Sequence, residues 1–156
     1  MRLRRLRLAL THDKPPVRIT LFTVEEANQL LGEIRKPLER LCAMKREFDR
    51  LETRISVLLV ATSGADAENP DSLELKALSR KRLRLGEMIG SGIMRLEEQG
   101  VVVKDLDKGL CDFYALNGER LIFLCWHLGE ATVSHWHGLH DGFAGRQSIK
   151  NAEELD

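Results

Sequence analysis

Three cysteines, Cys42, Cys111 and Cys125, are all the chain has, and no two stand in a CxxC pair. An odd set without a CxxC pair fits buried thiols in a reducing compartment better than a disulfide frame, so a cytoplasmic protein is expected. Long apolar runs are missing too. None approaches the ~20 residues that span a bilayer, and no membrane partner is expected. Nor is there an excess of either charge: 24 basic and 24 acidic side chains cancel over 156 residues, which leaves no global field to attract nucleic acid or an anionic membrane. Residues 1–16 (MRLRRLRLALTHDKPP) are locally basic, but the apolar segment is too short for a secretory signal and no small-residue cleavage site follows. They read as a loose basic extension ending at Pro15-Pro16.

What the chain does have, first, is helix. Val17–Phe22 (VRITLF) is β-rich and reads as a short strand. Thr23-Val24-Glu25-Glu26 has the form of a capping box. From Ala27 to Leu59 apolar residues recur in steps of three and four, the stripe of one helix running to about Val60, with a kink expected between Gly32 and Pro37. Ala61–Pro70 (ATSGADAENP) turns the chain around. Asp71-Ser72-Leu73-Glu74 offers a second helix start, and Leu75, Leu78, Leu85, Met88, Ile89, Ile93 and Leu96 carry a stripe to a stop at Gly100. Residues 23–99 therefore read as an antiparallel, coiled-coil-like hairpin, and Gly86, Gly90 and Gly92 suggest close approach of another backbone. The basic run Arg80, Lys81, Arg82 and Arg84 reads as a solvated face offset by Glu74 and Glu87.

After Gly100 the hydrophobic period falls to two. Val101–Lys104, Leu110–Leu116, Glu119–Trp126 and Ala131–Trp136 read as strands of an antiparallel meander over residues 101–136. A two-residue turn at Asn117-Gly118 would set Asp112 opposite Phe123 and Leu110 opposite Cys125. Residues 138–147 form a glycine-rich loop and 149–156 a polar tail. The whole of 17–148 is then one α+β domain, a long helical hairpin packed against a small antiparallel sheet of three to four strands.

Four blocks, FTVEEANQLL at 22–31, GVVVKDLDKGLCDF at 100–113, LCWHLGE at 124–130 and WHGLHDGFAGRQ at 136–147, resemble the small prokaryotic family catalogued as domain of unknown function 2203. The resemblance covers roughly residues 20–148. It implies that Asp105, Gly109, Asp112, Phe113, Cys125, Trp126, Glu130, Trp136, His137, Gly142 and Arg146 occupy the family's motif positions, and it brings no activity, substrate or cofactor with it. His135 and His140 depart from the family pattern.

Candidate chemistry gathers in residues 100–147. Asp112 is an acid on an otherwise apolar strand face and needs a partner, which His137 or Arg146 could supply. Asp112, Trp126, Glu130, His137, Asp141 and Arg146 are thus a candidate polar or binding cluster. His135, His137 and His140 stand at H-x-H-x-x-H, a spacing that could hold a divalent metal such as zinc. No complete catalytic set is visible, and His12 and His127 carry no assigned role. The leading expectation is a non-enzymatic interaction module without a cofactor, forming a homodimer through its helices, with an unidentified protein as a further partner. The alternative is a metal-binding protein or metal-dependent hydrolase using the C-terminal His/Asp cluster.

Overall fold

The capping box at Thr23 forms. Glu26 N–H donates to the Thr23 hydroxyl at 3.1 Å, and Thr23 N–H donates to the Glu26 carboxylate at 3.0 Å. The helix it starts, α1 (Val24–Ala61), runs unbroken through Pro37. Its 38 residues make it roughly 57 Å long. The second helix, α2 (Pro70–Glu98), starts two residues earlier than the sequence suggests. Pro70 takes the first helical position, where its missing N–H costs nothing, and Asn69 rather than Asp71 caps it, accepting from Asp71 N–H at 2.9 Å.

This computed structural model describes residues 4–8, 17–151 and 155, with side chains for 18–150 and 155. His12 lies outside them. Of the basic segment 1–16, Arg4–Leu8 is a strand (β1) laddered antiparallel to Val17–Leu21 (β2). The remaining strands are β3 (Val101–Asp105), β4 (Leu110–Asn117), β5 (Arg120–His127), β6 (His135–Gly138) and β7 (Gln147–Ser148). They form an antiparallel sheet in the order β3-β4-β5-β6-β7. The fold is α+β, with five strands in this sheet rather than three to four.

Two differences from the sequence reading have identifiable causes, one local and one distant in the chain. The β4–β5 turn is centred on Gly118-Glu119, so Asn117 pairs with Arg120, Tyr114 with Phe123, Asp112 with Cys125 and Leu110 with His127. Gly118 has φ +60 and takes the first central position of the turn, the place a type II′ hairpin reserves for glycine. The slip of two residues keeps every side chain on its face but changes its neighbour. In addition, Ala131–Ser134 does not join the sheet. Arg35 donates to the carbonyls of Glu130 and Ala131, each at 3.2 Å, and the Val133 N–H donates to Asn28 Oδ1 at 2.7 Å. Those bonds pull the segment onto α1, and pairing resumes only at His135.

The core lies between the first half of α1 and one face of the sheet. Ala27, Leu31, Ile34, Leu38, Leu41 and Cys42 pack with Val101, Cys111, Phe113, Ala115, Ile122, Leu124 and Trp126. Each large apolar side chain buried there contributes about 1.5–3 kcal/mol. Further along α1, Leu51, Ile55 and Leu58 are buried but stand outside that cluster, so here the hairpin is a two-helix layer. Ion pairs across the hairpin close its polar side: Lys81–Glu47 at 2.7 Å, Arg82–Glu52 at 2.9 Å and Arg54–Glu74 at 2.7 Å. The basic run on α2 is thus offset mainly by acids of α1.

A side chain of α1, rather than the backbone that the sequence suggests, closes on one of the three α2 glycines. A Cβ on Gly92 would sit 2.5 Å from Leu41 Cδ2, and one on Gly86 would touch Phe48 at an ordinary 3.4 Å. Gly90 faces open space.

Candidate functional site

The sheet face turned away from the helices carries the polar residues. Alternation puts Asp112 and Tyr114 of β4, Phe123, Cys125 and His127 of β5, and His135 and His137 of β6 on this side. Asp112, Cys125 and His137 meet at its centre, one from each of three neighbouring strands. Their exposures are 1%, 0% and 3%, so all three side chains are closed off from solvent.

Hydrogen bonding fixes the histidine. His137 Nδ1 lies 2.8 Å from the carbonyl of Gly138, which can only accept, so Nδ1 carries the proton. The other nitrogen, Nε2, faces Asp112 Oδ2 at 3.2 Å. In the neutral imidazole two lone pairs would confront one another, and a positive particle between them is required. Asp112 Oδ1 is buried and has no nitrogen or hydroxyl donor. Lys104 approaches Oδ2 only to 3.8 Å, beyond hydrogen-bonding reach, with its ammonium 4.3 Å from the centre of the Phe123 ring. The Phe123 ring also packs against His137 and Tyr114, with centroids 5.5 and 4.6 Å away. Burial, and next the nearby Asp112 carboxylate, push the Cys125 thiol up to about 12. Cys111, on the helix side of the sheet, is raised to about 12 as well, chiefly by burial.

Beside this trio, and joined to it through Cys125, Glu130 and Arg146 form a second group. Arg146 Nη2 donates to both Glu130 oxygens at 2.7 and 2.8 Å and to the Cys125 carbonyl at 3.4 Å. Glu130 also accepts from the His127 backbone N–H at 3.0 Å, and its Oε1 lies 3.5 Å from His127 Nε2 and 3.7 Å from His135 Nδ1. The Arg146 guanidinium stacks over Phe143 at 4.7 Å, which fastens the short 3-10 turn Phe143–Gly145.

The candidate residues therefore separate into sets. His137 is the partner of Asp112, while Arg146 serves Glu130. Trp126 lies on the helix side, fully buried, with its indole N–H donating to the Glu130 carbonyl at 3.0 Å and Arg35 over its ring at 5.1 Å. Asp141 closes a turn by accepting from Gly138 N–H at 3.0 Å. The triplet His135, His137 and His140 does not converge. His135 contacts Ser134 and Glu130, and His140 is exposed at the rim of a cleft lined also by Arg120, Trp136 and Gln147. Among the described residues the group of three whose potential ligand atoms all lie within 4.8 Å of one another is Asp112, Cys125 and His137.

Cys125 and Lys104 were not singled out for this cluster by the sequence reading. The signal for Cys125 was the glycine of the Asn117-Gly118 pair: placing Gly118 first in the turn sets Cys125 directly across from Asp112. Lys104 carried no such signal, since it reaches this face at the irregularity between Val103 and Asp105 in the β3–β4 ladder.

No helix among the described residues is long and apolar enough to cross a membrane. Comparison with curated proteins and with solved structures returns no match. The family described as "Uncharacterized conserved protein (DUF2203)" matches residues 20–149, which takes in both helices, the sheet from β3 to β7 and every residue of the two polar groups, and the chain belongs to that family.

Proposed function

We propose that this protein is a non-enzymatic self-associating module whose helical hairpin pairs with the hairpin of a second copy. The observation that carries this reading is the apolar surface left on the hairpin. Val57, Leu59 and Val60 of α1 and Leu73, Leu83, Met88 and Met94 of α2 are 50–79% exposed. Scattered exposed apolar residues need no explanation, but here they lie on helices of which one, α2, buries only Leu96 completely.

A second copy is the occupant that the charges favour. In a two-fold interface a patch meets itself, so it must be complementary to itself. The groove between the helices, with Pro37, Met44, Met88 and Gly92 in its walls, is rimmed by both signs, Glu33 and Glu87 beside Arg40 and Arg84. A formal net charge of zero removes long-range repulsion between copies.

Sedimentation equilibrium at micromolar concentration tests the reading. The wild-type chain is expected to be a dimer. Leu83 and Met94 are eleven residues apart on α2, about three turns, and share a side. The double variant Leu83→Glu/Met94→Glu is expected to be monomeric with its helical circular dichroism intact. A wild-type protein that stays monomeric under these conditions sinks the proposal.

A further inference from the structure

We infer that Asp112, Cys125 and His137 are the protein ligands of one thiophilic divalent cation, with zinc the ion best matched to the donor set. The inference is independent of self-association and rests on a different face of the molecule.

Three observations carry it. Asp112 is a buried carboxylate whose Oδ1 has no nitrogen or hydroxyl donor, the Cys125 thiol being the hydrogen-bonding neighbour on β5, and one of its oxygens lies within 4.8 Å of that sulfur and of an imidazole nitrogen. A buried acceptor of this kind costs about 1–3 kcal/mol or more unless something satisfies it. Next, the Nδ1–H of His137 is committed to the Gly138 carbonyl at 2.8 Å, the outer hydrogen bond by which a metal-ligating histidine is held in the tautomer that presents Nε2. Finally, the spacing fits. Ligands about 2.0–2.1 Å from a tetrahedral ion are about 3.3 Å apart, and Nε2 and Oδ2 stand 3.2 Å apart.

Charge makes the same case. A dication with one thiolate, one carboxylate and a neutral imidazole sums to zero, whereas without it the buried carboxylate is offset by Lys104 only at 3.8 Å. Binding displaces the Cys125 thiol proton and any proton held between Nε2 and Oδ2 to solvent. The fourth position falls to water or to Oδ1. Lys104 is the cation that faces this site from β3, and its side chain, 37% exposed, has room to turn outward when a metal takes up the Asp112 charge. On the other side Arg146 is neutralised by Glu130. A nitrogen, sulfur and oxygen set with a soft thiolate selects zinc, cobalt or ferrous iron over magnesium or calcium.

Because the ligands are fully buried, the ion must enter as the chain folds. The test therefore uses untagged full-length protein expressed in zinc- or cobalt-supplemented medium and dialysed against chelating resin. Elemental analysis is expected to find one ion per chain, and the cobalt form to show the near-ultraviolet thiolate-to-cobalt band with the visible bands of a tetrahedral site. Cys125→Ser should lose the thiolate band, His137→Ala should weaken retention by at least about tenfold, and Cys111→Ala, whose thiol points to the helix side, should keep both. Folded wild-type protein free of metal after this growth would overturn the inference and leave His137–Asp112 as a structural pair. So would bound metal without a thiolate band, or metal that a folded Cys125→Ser variant retains, since either assigns the ion to the surface histidines. Should Cys125→Ser fail to fold, the wild-type stoichiometry and band decide the matter.

Discussion

Glu130 holds together three segments that are far apart in the chain. Its carboxylate accepts through both oxygens from Arg146 Nη2 of the glycine-rich loop, its backbone carbonyl takes the Trp126 indole and one arm of Arg35 from α1, and its side chain caps the His127 N–H. The Arg146 and Glu130 side chains are 12% and 17% exposed, too little for solvent to screen them as it screens a surface pair. Removing one partner strands the other charge in low dielectric. Arg146→Met is therefore expected to lower unfolding free energy by about 3 kcal/mol in urea denaturation. Adding Glu130→Gln to it should recover part of that loss, because no buried carboxylate is then left unpaired. A cost of Arg146→Met below about 0.5 kcal/mol would instead mark the pair as equivalent to an exposed one. Asp112 was legible as an acid in need of a partner because strand alternation puts it on an apolar face, but the sequence left His137 and Arg146 both open, and the β5–β6 register decides for His137. Lys104 was not, because a bulge decides where it points.

Among the elements, α1 and α2 were the most legible, since amphipathic periodicity and the capping box are local signals. What depended on distant contacts was not legible. Pairing begins at His135 rather than Ala131 because Asn28 and Arg35, about a hundred positions upstream, capture the intervening segment. The two-residue strand Gln147–Ser148 is too short to leave a pattern, and it exists because β6 offers it an edge. The glycines of α2 separate local propensity from packing. Gly90→Ala, added in open space on a helix, should stabilise the protein by about 0.4–1 kcal/mol. Gly92→Ala carries the same helix propensity but drives a methyl against Leu41, itself 2% exposed, and should cost about 1–3 kcal/mol. Thermal denaturation of the two single variants checks the opposite signs. If both stabilise, Leu41 yields and the helices are not in close contact at Gly92.

For the whole molecule, the distribution of polar and apolar surface sets what kind of association the hairpin supports. The ion pairs between α1 and α2 are satisfied within one chain, and the formal net charge is zero, so neither attraction nor repulsion between copies is expected to act at long range. Contact through Val57, Leu83, Met88 and Met94 would instead be driven by removal of apolar area from water. Salt distinguishes the two. Raising ionic strength from about 0.1 M to 1 M shortens the screening length from roughly 10 to 3 Å and weakens exposed charge pairs, while leaving apolar burial intact. The dimer dissociation constant, measured by sedimentation across that range, is therefore expected to stay within a factor of about two, since an order of magnitude corresponds to 1.4 kcal/mol. A tenfold rise with salt would show that the rim charges, Glu33 and Glu87 of one copy against Arg40 and Arg84 of the other, hold the copies together more than the apolar residues do.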